Sequence, residues 1–245
     1  MCPLSSCVII PARYASTRFP GKPLIPLLGK PMILWVAELS ARAVGKENVY
    51  VATEDTRIAN VVAKAGFTPL MTSPNALTGT DRVAEAARAV NYNIYVNVQG
   101  DEPMVDPDDI RRCIELKIKQ PDCVINGYCW IGPDENAASV NIPKVITKEN
   151  NLLIYMSRGL VPSFKNKLNA PHRYKKQVCI YGFSQGELDD YSNFARKSIL
   201  EYHEDIEILR FLELDKNILM FECAAGSLAV DVPEDVHSVE ALLSA

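Results

Sequence analysis

The sequence predicts an α/β fold: a mostly parallel sheet with helices on both faces, joined by a smaller mixed or antiparallel layer. From residue 7 to about 131, short apolar runs alternate with longer segments of helical period, the order expected of β-α-β units. Helix-opening prolines and capping acids fall between the runs. Beyond about residue 132 the alternation loosens, and strand-like runs follow one another more closely. A chain of 245 residues suits a single domain with a full core, without disulfide or metal staples.

The elements follow in order. Residues 7–10, Cys-Val-Ile-Ile, form a buried-strand run that Pro11 should end. Residues 31–44 read as a helix, with Pro31 in its first turn and Met32, Ile33, Trp35, Val36, Leu39 and Ala43 on one face. Residues 48–53 form a strand. Asp55 caps a helix to Lys64 that Gly66 closes, and a strand at 67–71 precedes a helix over 80–90. Residues 93–98, Asn-Ile-Tyr-Val-Asn-Val, are the clearest strand. Pro107 opens a helix to Lys119, and 123–131 is strand-like. Further strands are expected at 141–147, 152–155, 178–183 and 218–223. Helices are expected at 204–214, with Ile206, Leu209 and Leu212 inward, and at 233–243. Residues 163–171 read as a polar loop.

Charge is unevenly spread. The chain carries 26 Lys and Arg against 30 Asp and Glu, a net charge of -4. Yet the first 37 residues contain Arg13, Arg18, Lys22 and Lys30, and the first acid is Glu38. Mild overall acidity argues against a general nucleic-acid binder. No apolar stretch reaches the roughly 18 residues of a membrane span, and the first residues lack a signal-peptide layout, so a cytoplasmic enzyme is expected. Seven scattered cysteines without a C-x-x-C, and three distant histidines (His172, His203, His237), give no zinc or redox motif.

Two segments lie just past predicted strands, where open α/β sheets bind ligands. Residues 11–24, Pro-Ala-Arg-Tyr-Ala-Ser-Thr-Arg-Phe-Pro-Gly-Lys-Pro-Leu, place three cations within ten residues. Guanidinium forks and a compact ammonium suit phosphate oxygens; a solvated basic loop is the plainer reading of the same charges. The segment is neither a Walker A loop nor a GxGxxG turn. Residues 99–103, Gln-Gly-Asp-Glu-Pro, offer an acid that suits Mg²⁺ held mainly by substrate phosphates, or a turn acid capping the next element. A third segment, residues 230–235, places Asp231 before a helix opened by Pro233, where an N-cap carboxylate is the alternative. Together they describe metal-assisted transfer to or from a nucleotide.

The runs PARYASTRFPGKPL, GTDRVAEA (79–86), VNVQGDEPM (96–104), IYGF (180–183) and VDVPEDV (230–236) resemble, in order, the 3-deoxy-manno-octulosonate cytidylyltransferase family. The resemblance covers about residues 7–243. It implies a Rossmann-like nucleotidyltransferase fold in one domain, with residues 132–185 as a dimerisation and sugar-binding subregion of a homodimer. It implies CTP and a sugar acid as substrates, Mg²⁺ as cofactor and a role in lipopolysaccharide synthesis. It further implies that Arg13, Arg18 and Lys22 face the triphosphate, that Pro11 and Ala12 shape the cytosine pocket, and that Asp101 and Asp231 hold the metal. Arg13, Lys22, Asp101 and Asp231 are the expected catalytic set. Arg82 would meet the sugar carboxylate, with Gln99, Gln177, Tyr181, Asp205 and Glu207 also at the sugar.

Departures from the family pattern cluster at that sugar end. Gln177 stands where a histidine is usual, Cys179 where glycine is, and Ile208 where glutamine is. Asp205 replaces an apolar residue, and Val232 replaces threonine. Exchanging a potential imidazolium for a neutral amide and adding an acid would favour an amine, so 8-amino-3,8-dideoxy-manno-octulosonate is the expected acceptor. The ordinary sugar is the alternative. A CMP-sialate synthetase and a catalytically inactive nucleotide sensor are the competing readings. The intact GTDR and QGDEP contexts oppose the first, and the presence of Arg13, Lys22, Asp101 and Asp231 opposes the second.

Overall fold

Alternate residues of one strand serve two different cores, and this sets the architecture. In β1 (Ser6–Ala12), Val8 and Ile10 point to one face of the sheet, while Cys7 and Ile9 point to the other. The computed structural model describes residues 4–15, 19–133, 135–224, 230 and 232–244. After β1 a short hairpin, β2 (Pro26–Leu27) and β3 (Lys30–Pro31), leads into α1 (Met32–Val44). Then come β4 (Val49–Thr53), α2 (Thr56–Lys64), β5 (Thr68–Met71), α3 (Gly79–Ala87) and β6 (Ile94–Val98). The second half holds α4 (Pro107–Lys119), β7 (Cys123–Trp130), β8 (Lys144–Thr147), β9 (Leu153–Ser157) and β10 (Lys175–Phe183). It closes with α5 (Gln185–Asn193), α6 (Ile199–Glu204), α7 (Leu209–Glu213), β11 (Asn217–Glu222) and α8 (Asp235–Leu243).

The main sheet runs β11-β7-β10-β6-β1-β4-β5. The pairs β1–β4, β1–β6, β4–β5 and β7–β11 are parallel, whereas β10 lies antiparallel between β6 and β7. The antiparallel portion is continuous with this sheet: β8 pairs with β10 and with β9. One face packs Ile33 and Val36 of α1, Ile58 and Val62 of α2 and Ile110 of α4. The opposite face packs Val83 of α3, Leu188 and Tyr191 of α5 and Phe211 of α7. Each fully buried Ile, Leu or Phe of these layers stabilises the fold by about 1.5–3 kcal/mol.

Helix starts follow local chemistry. Asp55 accepts from Arg57 N (2.8 Å) to open α2, Thr78 from Asp81 N (3.1 Å) to open α3, and Asp106 from Asp108 N (2.8 Å) to open α4. Ser184 with Glu187, and Ser198 with Glu201, form reciprocal capping boxes on α5 and α6.

Two expectations need correction. Pro11 does not end β1: the strand runs on to Ala12, pairing with β4, because its β6 partners stop at Ile9 and no ladder hydrogen bond is needed from Pro11 on that side. Residues 204–214 are not one helix. Asp205 adopts a left-handed conformation (φ 50, ψ 48) that stops α6, and the chain restarts as α7 with Ile206 and Leu209 still buried. Two further helices, at 185–193 and 199–204, have no counterpart in the expected elements.

The chain steps from β1 outwards to β4 and β5, then returns to place β6 on the other side of β1. This reversal opens a crevice beyond the carboxyl ends of β1 and β6, where open parallel sheets take their ligands.

Candidate active site

A cleft of about 330 Å³ fills that crevice. Pro11, Ala12 and Arg13 come to it from the end of β1, and Gln99, Gly100 and Asp101 from the end of β6. The first turn of α3 adds Thr78, Gly79 and Arg82. The far wall is formed by Arg158, Lys197, Glu201, Asp205 and Glu207. The two strand ends touch closely: a Cβ on Gly100 would lie 2.9 Å from the Pro11 carbonyl oxygen, so only glycine fits there without a backbone shift.

Lys22 is carried in by a single 3-10 turn (Lys22–Leu24). Its Nζ donates to Asp101 Oδ2 at 2.7 Å and to the Val230 carbonyl at 2.8 Å. Val230 N in turn donates to the Asp101 carbonyl at 3.0 Å. Val230 is thereby docked on the end of β6. Asp231 itself lies outside the described residues, as does Arg18. Arg13 is exposed at the mouth of the cleft. Asp101 keeps about a quarter of its side chain exposed and presents a hard oxygen donor beside a cation. Among the described residues no group of three or more His, Cys, Asp or Glu forms a self-sufficient metal cage. A lone strand-end carboxylate fits a cation such as Mg²⁺, which takes one or two carboxylates and otherwise binds phosphate and water oxygens.

Arg82 is nearly buried and already paired: its Nη2 lies 3.0 Å from Glu54 Oε2, and its Nη1 donates to Thr72 Oγ1. Burial pushes this guanidinium below its ordinary value, against the pull of Glu54 and Glu85. Glu54 also accepts from Tyr14 N at 2.9 Å, which ties the basic segment after β1 to Arg82.

Glu207 has a supporting position. Its carboxylate accepts from Gly79 N (2.9 Å), Thr80 N (2.8 Å) and Thr80 Oγ1 (2.7 Å), satisfying the orphan donors of α3. Burial raises its pKa, and those same hydrogen bonds pull against the rise. Beneath it, Arg210 is fully buried and links Asp81 (2.9 Å) of α3 to Glu201 (2.7 Å) of α6. Its guanidinium also lies 3.7 Å from the Tyr191 ring centre. This network fixes α3 against α6 and α7, and so fixes the two walls of the cleft.

Gln177 and Tyr181 sit behind the wall and do not line the cleft. Gln177 Nε2 donates to Asn126 Oδ1 at 3.1 Å and to Tyr181 Oη at 3.3 Å. Burial, with Cys179 and Glu207 nearby, pushes the Tyr181 phenol well above its ordinary value. Asp205 does line the cleft, and its Oδ1 lies 2.8 Å from Lys197 Nζ. The structure thus brings Pro11, Ala12, Arg13, Lys22, Arg82, Gln99, Asp101, Asp205 and Glu207 to one cleft.

Residues 7–218 match the family model described as cytidylyltransferase. The chain belongs to the cytidylyltransferase family. Curated relatives agree over nearly full length. The 3-deoxy-manno-octulosonate cytidylyltransferase of Escherichia coli is 36% identical over 237 residues, covering 97% of this chain and 95% of that one. The 8-amino-3,8-dideoxy-manno-octulosonate cytidylyltransferase of Shewanella sp. (strain W3-18-1) is 38% identical over 247 residues, covering 97% and 98%. Among solved structures, a CMP:2-keto-3-deoxy-manno-octonic acid synthetase complexed with CTP superposes with a TM-score of 0.90 at 36% identity, over 98% of each chain. A cytidylyltransferase from Leptospira borgpetersenii shares the fold, with a TM-score of 0.66 at 19% identity, over 98% of this chain and 87% of that one.

This cytidylyltransferase is therefore a nucleotidyltransferase enzyme. None of its helices among the described residues is long and apolar enough to cross a membrane. Its cleft includes three charged residues outside the expected site: Arg158, Lys197 and Glu201. For Glu201 a signal existed, the Ser-x-x-Glu box at 198–201. Arg158 and Lys197 carry no local motif and reach the cleft only through the packing of β9 and α6.

Proposed function

We propose that this enzyme joins CTP to an eight-carbon 3-deoxy sugar acid, giving the CMP-sugar and pyrophosphate, in the cytoplasm, for lipopolysaccharide synthesis. The carrying observation is the contact of Lys22 Nζ with both Asp101 and Val230 at the sheet's switch point. It gathers a cation, a carboxylate that could hold a metal, and Val230, the residue before Asp231, around one spot. Full-length similarity to a synthetase complexed with CTP supports the nucleotide. Similarity to octulosonate cytidylyltransferases supports the acceptor.

In this reading the exposed Arg13 and Lys22, with Arg18, receive the triphosphate, and Pro11 and Ala12 border the base. Arg82 and Gln99 orient the sugar acid. The anomeric hydroxyl of the sugar attacks the α-phosphorus in line, a new P–O bond forms, the bond to the β-phosphate breaks as pyrophosphate leaves, and the hydroxyl proton passes to solvent. Asp101 and Asp231 would hold Mg²⁺. The bound metal would supply charge neutralisation and acidify the attacking hydroxyl. The protein's part is positioning and electrostatics, as in phosphoryl transfer generally.

The finer reading, that 8-amino-3,8-dideoxy-manno-octulosonate is preferred, is supported by the Asp205 carboxylate in the cleft wall. Gln177 and Tyr181, hydrogen-bonded to each other behind the wall, would act on the acceptor only indirectly, through the neighbouring Glu207 that lines the cleft. Measuring kcat/KM for the two sugars with CTP tests this. Preference for the amino sugar is expected; equal or better turnover of the ordinary sugar contradicts it. We also propose a homodimer, because Ile154, Leu160, Phe164 and Leu168 expose apolar surface within residues 132–185. Light scattering would give twice the 27.2 kDa chain mass; a monomer would refute the dimer.

A further inference from the structure

We propose that Lys197 is an acceptor-specificity residue: it acts as a resident counter-ion that an ammonium-bearing acceptor must displace from Asp205. This rests on the octulosonate reading above and concerns the same cleft.

The Asp205 carboxylate is held in place by its backbone. The residue ends α6 at φ 50 and ψ 48, a conformation that aspartate tolerates better than most non-glycine residues. Its carbonyl accepts from Arg158 Nη2 at 3.0 Å, and Arg158 Nε donates to the neighbouring Glu204 carbonyl at 2.5 Å. Arg158 Nη1 reaches on to the Val140 carbonyl at 2.9 Å. The strand side of the wall therefore clamps the end of α6.

Lys197 approaches from the other end of the helix, one residue before the Ser198 cap. It spans α6 to place Nζ 2.8 Å from Asp205 Oδ1. Both side chains line the cleft, yet both remain open to solvent: 33% exposed for Lys197 and 69% for Asp205. Ion pairs this exposed bind weakly, by a factor of about five at most. A ligand cation can therefore exchange for Lys197 at small cost. A hydroxyl-tailed acceptor has no need to make that exchange, so the competition falls on the ammonium-tailed acceptor alone. Lys197 then tempers a preference that Asp205 creates.

The test compares kcat/KM for the ammonium-tailed and hydroxyl-tailed octulosonates, with CTP, in the full-length enzyme and in Lys197→Met, Asp205→Asn and the double variant. In Lys197→Met the ammonium-to-hydroxyl ratio should rise roughly three- to fivefold, the strength of the exposed pair. In Asp205→Asn the ratio should fall. Adding Lys197→Met to Asp205→Asn should produce no further rise, because the group it competed for is gone. An unchanged ratio in Lys197→Met overturns the proposal. So does an equal loss for both acceptors, which would make Lys197 a contact to a group they share. Wild-type enzyme that turns over neither acceptor sinks the underlying reaction as well; wild-type turnover with a flat ratio sinks only the role of Lys197.

Discussion

The Lys22 ammonium lies 2.7 Å from Asp101 Oδ2, joining the basic segment after the first strand to the acid at the end of the sixth. The pair is partly buried, with side chains 18% and 27% exposed, so water screens it only in part. Lys22→Met keeps the length of the side chain and removes the charge. Turnover with CTP should fall about 100-fold or more, the usual loss when a group that stabilises transferring charge is removed. Steady-state kinetics, with circular dichroism to confirm folding, would check it.

The contact between the two strand ends yields a second prediction. A Cβ at position 100 meets the Pro11 carbonyl oxygen at 2.9 Å, a backbone atom that cannot swing away. Gly100→Ala should cost about 1–3 kcal/mol of stability through overpacking. It should also weaken CTP use, because Pro11 and Asp101 flank the strain. Urea denaturation and the KM for CTP measure the two effects.

Arg210 is the third case. It is fully buried between Asp81 and Glu201, and removing it strands two carboxylates in a low-dielectric interior. Arg210→Met should destabilise the protein by about 3–5 kcal/mol, as broken buried pairs do. Thermal unfolding would show it. The double variant with Asp81→Asn should recover part of the loss.

A pH effect follows from Glu204. Burial opposes its ionisation, but hydrogen bonds from Arg158 N (2.7 Å), Ser157 Oγ (2.7 Å) and Tyr155 Oη (3.2 Å) outweigh this and lower its pKa below the ordinary 4.5. The folded state therefore favours the carboxylate. Its contribution is complete above pH 4.5 and is lost as the pH falls through the lowered value. Glu204→Gln should be less stable than wild type at neutral pH, and the gap should close in acid. A gap that persisted below the titration range would contradict the assignment.

Elements with strong local chemistry were legible in the sequence. The helix at 107–119 is legible because Pro107 opens it, and the strand expected at 93–98 forms over 94–98 because β-branched and aromatic residues fill it. The break at Asp205 was not legible, since the apolar spacing of Ile206, Leu209 and Leu212 suits one continuous helix. Only the left-handed backbone, clamped by Arg158 from a distant strand, interrupts it. In the site, residues at strand ends were found by position and by resemblance. Lys197 and Arg158 were not, because only tertiary packing carries them to the cleft. Gln177 was placed at the sugar, yet the fold turns it onto Asn126 and Tyr181 behind the wall.

In the proposed reaction, the carboxylate beside Lys22 serves metal-assisted transfer from CTP. The most direct measurement is pyrophosphate release with CTP, Mg²⁺ and an octulosonate, in wild type and in Asp101→Asn. Wild type should release pyrophosphate and the variant should not, with an unchanged circular dichroism spectrum. Normal release by Asp101→Asn, or none by wild type with either octulosonate, would contradict it.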